Sequence, residues 1–77
     1  METTEFVKNL AALFEDTDVS EFALKTRFRD LDEWSSLNAM AIMNMIGKKY
    51  LVFLKSEEMK TTNTVQELFD LVQSKVK

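Results

Sequence analysis

Two segments near opposite ends of this 77-residue chain carry the same 3.6-residue apolar rhythm, and that rhythm constrains the fold more than any other feature. From Thr3 to Glu15, Phe6, Val7, Leu10, Leu13 and Phe14 fall within one arc of a helix, with Glu5, Lys8, Asn9 and Glu15 opposite. From Val65 to Val76, Leu68, Phe69, Val72 and the two terminal valines share a face, and Thr64 stands where a helix N-cap belongs. Two such helices must bury their stripes against a shared core, and with no pairable strand elsewhere in the chain an all-α domain is expected.

The middle of the chain supplies two more helices. Leu37 to Tyr50 forms the longer of them. A projection places Ala39, Met40, Ile42, Met43, Ile46 and Tyr50 toward a core and Asn38, Asn44, Lys48 and Lys49 away from it. Ser56, followed by Glu57 and Glu58, opens a single helical turn to Lys60, with its carboxylates favoured by the helix dipole. Leu51 to Leu54 reads as a brief strand on composition, yet nothing else in the chain would pair with it. Gly47, the one glycine, lies inside a helix, where it costs about 1 kcal/mol relative to alanine. It either admits a close-packed neighbouring helix or marks fraying toward Tyr50.

Between Asp16 and Trp34 the helical period is lost, although Val19, Phe22, Leu24, Phe28, Leu31 and Trp34 recur as anchors for a loop pinned to a core. Ser20 to Leu24 allows a short helical turn. A loop this long in so small a domain is uncommon and is usually functional, while its aromatics also suit simple closure of one end of the core.

Chemistry is bounded by what is missing. No cysteine means no disulfide framework or thiolate site, so a thiol would have to arrive on an added cofactor. No histidine removes the commonest general base, the usual zinc ligand and the familiar nucleophile–His pairings. A non-enzymatic role without a metal is expected. With 13 acidic and 10 basic residues the net charge is −3, which argues against a nucleic acid partner and mildly favours a basic-faced protein. An acidic N-terminal segment and the lack of any apolar run near 20 residues point to a soluble, cytoplasmic chain with no membrane span.

The candidate site is Ser36, in Phe28-Arg-Asp-Leu-Asp-Glu-Trp-Ser-Ser-Leu37. A serine at a helix start has two roles open to it. It can accept a hydrogen bond from an N–H one turn on, worth about 1 kcal/mol over alanine. It can also carry an esterified phosphate, whose charge sits well at the positive end of the helix dipole. After Ser36, Leu37, Ala41 and Met45 form an apolar strip inside the polar arc, which reads as a partner-docking surface or as ordinary exposed apolar area. Asp30, Asp32 and Glu33 form a local acidic cluster, either a solvated loop or a contact for a basic partner. Phe28, Trp34, Met40, Met43 and Ile46 are either plain core or the lining of a pocket for an acyl chain.

The pattern Phe-x-x-Leu-x-x-Trp-x-Ser-Leu, together with the order of helices around it, resembles the segment around the modified serine of acyl carrier proteins, and the resemblance extends over nearly the whole chain. It implies one domain over residues 1–77: a small four-helix bundle with a long first loop and a short third helix. Ser36 would be joined through a phosphodiester to 4′-phosphopantetheine from coenzyme A, and acyl or aminoacyl groups would be held as thioesters on the terminal thiol. The implied partners are a phosphopantetheinyl transferase, which would meet Asp32 and Glu33, an acyl- or aminoacyl-activating ligase, and acyl-transferring enzymes of fatty acid or secondary metabolite biosynthesis. The chain departs from the pattern at two places. Ser35 replaces the aspartate usually found before the modified serine, and Asn38, Ala41, Gly47 and Lys48 stand where acidic residues are typical. The alternative is an unmodified helical interaction module that uses Leu37, Ala41 and Met45.

Overall fold

The computed structural model describes residues 2–76. It contains four α-helices, α1 (Thr3–Ala11), α2 (Ser36–Tyr50), α3 (Ser56–Lys60) and α4 (Val65–Lys75), and no strand among the described residues. Two 3₁₀ turns, Val19–Glu21 and Phe28–Asp30, punctuate the long connection between α1 and α2. One core joins Phe6, Leu10 and Phe14 to Phe28, Ile42, Ile46, Met59, Val65, Leu68 and Val72. No helix among the described residues is long and apolar enough to cross a membrane.

Helix α1 is shorter than its periodicity suggests. Beyond Ala11 the chain tightens into i→i−3 bonds, Leu13 N–H to Leu10 at 3.1 Å and Phe14 N–H to Ala11 at 3.0 Å. This ending leaves the Phe14 ring buried off the helix axis, 5.1 Å from Phe22 and stacked near Trp34 at 6.3 Å between centroids. At the other end of the core, Phe6 meets Phe69 edge-on at 5.4 Å and Tyr50 at 5.8 Å, and the Asn9 amide donates to the Tyr50 hydroxyl at 3.0 Å. Helix α1 thereby ties α4 to the end of α2.

The long connection satisfies backbone groups that helix ends leave open. The first N–H groups of α4, on Val65 and Gln66, donate to the carbonyls of Thr26 at 3.0 Å and Leu24 at 2.8 Å. The Arg29 guanidinium donates to the Thr62 carbonyl at 2.6 Å and to the Met59 carbonyl at the end of α3. It also lies over the Trp34 ring, 5.1 Å from its centroid, a cation–π contact. Phe22 and Phe28 are buried anchors, as their spacing predicts, whereas Val19 points into solvent.

Helix α4 starts as its sequence predicts. Thr64 accepts from the Glu67 N–H at 3.1 Å, and the Glu67 carboxylate accepts from the Asn63 and Thr64 N–H groups at 2.9 and 3.0 Å. Those two amides, Asn63 first, hold the Glu67 carboxyl below its ordinary range. In α3 the N-cap is Lys55 rather than Ser56, and the Lys55 N–H donates to Glu58 at 3.0 Å. The side chain of Glu58 also pairs with Lys75 of α4 at 2.6 Å. The 51–55 segment has no regular secondary structure and pairs with no strand among the described residues, and Leu51 ends α2 in the left-handed region at φ 56°.

Candidate functional site

The start of α2 divides its two serines by role. Ser35 is the N-cap, in extended backbone, and its N–H and hydroxyl each donate to the Asn38 Oδ1 at 2.9 Å. The Asn38 N–H returns a bond to the Ser35 carbonyl at 3.0 Å. Ser36, the first helical residue, is exposed, and its hydroxyl makes no hydrogen bond among the described residues. Capping is therefore done by Ser35 and Asn38. The Ser36 oxygen stays available at the positive end of a 15-residue helix, where a negative charge is favoured.

Beside Ser36, between α2 and α3, lies a cleft of about 330 Å³. Trp34, Ala39, Met40, Met43 and Met59 give it an apolar lining, and Arg29, Ser56 and Lys60 supply its polar edge. Three of the five residues expected around an acyl pocket, Trp34, Met40 and Met43, are thus brought together next to Ser36. The other two are not: Phe28 and Ile46 are fully buried in the core and line no part of the cleft.

The docking strip needs a larger correction. Leu37 is 76% exposed and Ala41 is half-buried, but Met45 is only 7% exposed and belongs to the core, so it is no surface residue. Met40, expected on the inner face, is instead 62% exposed. The helix is rotated relative to its projection because apolar residues surround it almost completely; periodicity then leaves the phase open, and contacts with the rest of the core decide it. Leu37 and Ala41 border a separate recess with Leu13, Glu15, Asp16 and Glu33, on the other flank of Ser36 from the cleft.

The acidic cluster is also divided. Asp30 pairs with Arg27 at 2.9 Å. Glu33 accepts from the Thr17 hydroxyl at 2.6 Å and the Asp16 N–H at 3.4 Å, so it fastens the turn after α1 to the entry of α2. Asp32 is exposed and makes no such contact among the described residues.

Arg29, Ser56, Met59 and Lys60 at the cleft were not legible as a group, since they come from two segments without a shared period. The one available signal was Arg29 between Phe28 and Trp34, an arginine flanked by two loop aromatics. No family model matches the chain, and no curated protein matches it at a significant level.

Proposed function

We infer that this chain is an acyl carrier protein, a four-helix bundle whose Ser36 bears a 4′-phosphopantetheine arm. The observation that carries the reading is the division of labour at the start of α2: Ser35 and Asn38 close the helix end, while the Ser36 hydroxyl is exposed and engaged in no hydrogen bond among the described residues. The surroundings fit the group. A phosphodiester on Ser36 would lie at a helix N-terminus, and the adjoining cleft combines cationic edges, Arg29 and Lys60, with an apolar lining.

When attached, the arm supplies a thiol that this cysteine-free chain lacks, and on it an acyl or aminoacyl group is held as a thioester. The protein's own residues bind and present. Ser36 anchors the arm, Trp34, Met40 and Met43 offer apolar surface beside it, and Leu37 with Ala41 faces partner enzymes on the opposite flank. Tethering gives the cargo a high effective concentration at each active site visited. Such a carrier needs a phosphopantetheinyl transferase, an activating ligase and acyl-transferring enzymes, and it works in the cytoplasm without being an enzyme itself. Asp32 offers the transferase an unpaired carboxylate, and Glu33 positions the loop that presents it.

The test is intact-protein mass spectrometry after incubation with coenzyme A and a broad-specificity phosphopantetheinyl transferase. A gain of one phosphopantetheine by the wild type, absent in Ser36→Ala, is expected. No gain with this transferase or with that of the source cell would remove the reading. The exposure of Leu37 favours a second reading, an unmodified interaction module; there, Leu37→Asp would abolish partner binding and Ser36→Ala would leave it unchanged.

A further inference from the structure

We propose that the groove between the C-terminal half of α2 and the 51–55 segment docks a protein partner whose contact surface is an apolar side chain ringed by carboxylates. The groove is open, about 670 Å³, with Met43, Gly47, Phe53 and Leu54 as its apolar walls and Lys48 and Lys55 at its edges. It adjoins the Ser36 cleft, with which it shares Met43, Ser56 and a cationic edge, but it lies further along α2 over Gly47, and the proposal does not depend on whether Ser36 carries a group.

Three observations converge. The first is the 51–55 segment, in which burial alternates from Leu51 to Leu54. Val52 is buried, and its neighbours Leu51 and Phe53 are turned into water, Phe53 with 80% of its surface exposed. Leu51 is also held at φ 56°, a region a bulky residue rarely adopts, so the outward presentation is maintained against local backbone preference.

The second is Gly47. A Cβ there would stand 3.4 Å from the Phe53 ring, an ordinary contact, so the ring lies alongside α2 at this position. The sequence reading of Gly47 as a seat for a neighbouring helix is thereby replaced: its neighbour is an exposed aromatic ring.

The third is charge. In a chain of net charge −3, no carboxylate lines this groove, and neither Lys48 nor Lys55 is within ion-pair distance of an acid among the described residues. The acids Glu15, Asp16 and Glu33 gather instead around the recess beside Leu37. A basic partner would meet like charge here, whereas carboxylates flanking an inserted apolar side chain would neutralise both lysines and cover Phe53.

The experiment follows the amide resonances of the full chain as two synthetic helical peptides are added. One carries a leucine stripe flanked by glutamates, and its twin has lysine at every glutamate; phosphatidylglycerol vesicles form a third arm. The glutamate peptide is expected to shift residues 43–56, to weaken as salt is raised, and to bind at least about tenfold more weakly to the Lys48→Glu/Lys55→Glu variant and to Phe53→Ser. The lysine peptide should leave those resonances in place. Retained dispersion in each variant's spectrum separates lost binding from lost folding. The proposal is overturned by equal binding of the two peptides, by shifts confined to other surfaces, by preferential binding of the vesicles, or by no shift with either peptide up to about 1 mM, the weak end of specific association.

Discussion

The body formed by α1, α4 and the long connection contrasts with the face formed by α2, α3 and the 51–55 segment. In the first, aromatic rings contact one another in sequence and helix ends are closed by the loop's own groups. In the second, Leu37, Met40 and Phe53 are turned to solvent around two hollows. Within that second face one residue type serves both ends: Met45 and Met59 reach into the core, whereas Met40 is exposed at the cleft beside Ser36. A chain this small has a net stability of about 4–12 kcal/mol by the usual range per residue. Ile42, Ile46 and Met59 of the second face share the core with the body, but Leu37, Met40 and Phe53 do not.

If stability is concentrated in that core, Phe14→Ala should have the largest effect. It removes a ring that meets Phe22 and Trp34, with an expected loss of about 3–5 kcal/mol in urea unfolding. The exposed ring offers the sharp counter-case: Phe53→Ser should leave the unfolding midpoint nearly unchanged, and a large loss there would erase the contrast.

Arg29 joins the two regions, so its removal should rank next. Arg29→Ala withdraws charged donors from the Met59 and Thr62 carbonyls, costing about 1.5–3 kcal/mol, and Arg29→Lys should recover only part because it cannot reproduce the fork. Thermal unfolding followed by circular dichroism would rank all three. A smaller change of opposite sign is expected at the end of α2, where Leu51→Gly relieves a left-handed leucine and should gain about 1 kcal/mol.

The smallest effect concerns pH. The Glu67 carboxyl is held below its ordinary value by the Asn63 and Thr64 amides, and Glu58 below its own by Lys75 and the Lys55 amide. A lowered folded-state pKa contributes stability that is present above the ordinary 4.5 and is lost as pH falls through the lowered value. Acid titration of wild type against Glu67→Gln should therefore converge at the acid end, with the wild type the more stable near neutrality.

The same two regions differ in how far the sequence reveals them. The faces of α1 and α4 and the Thr64 cap are legible because one side of each helix is clearly polar. The phase of α2 is not, since Leu37, Met40, Ala41, Met43 and Met45 spread around it and only tertiary contacts choose among them; the projection thus exchanges Met40 and Met45. Ser36 is legible as a helix start. Its release from capping is not, because that depends on Ser35 taking the cap together with Asn38. Arg29 and Phe53 were missed for a related reason: their surroundings are assembled from segments distant in the chain or lacking a helical period.

The division between Ser35 and Ser36 is tested most directly by site-resolved tandem mass spectrometry of the protein after exposure to coenzyme A and a phosphopantetheinyl transferase, with Ser35→Ala and Ser36→Ala in parallel. The carrier reading requires the added mass on Ser36, retained in Ser35→Ala, which should lose about 0.5–1.5 kcal/mol of stability with the hydroxyl's bond to Asn38. Mass on Ser35, or no added mass while both variants keep full partner binding, would contradict it.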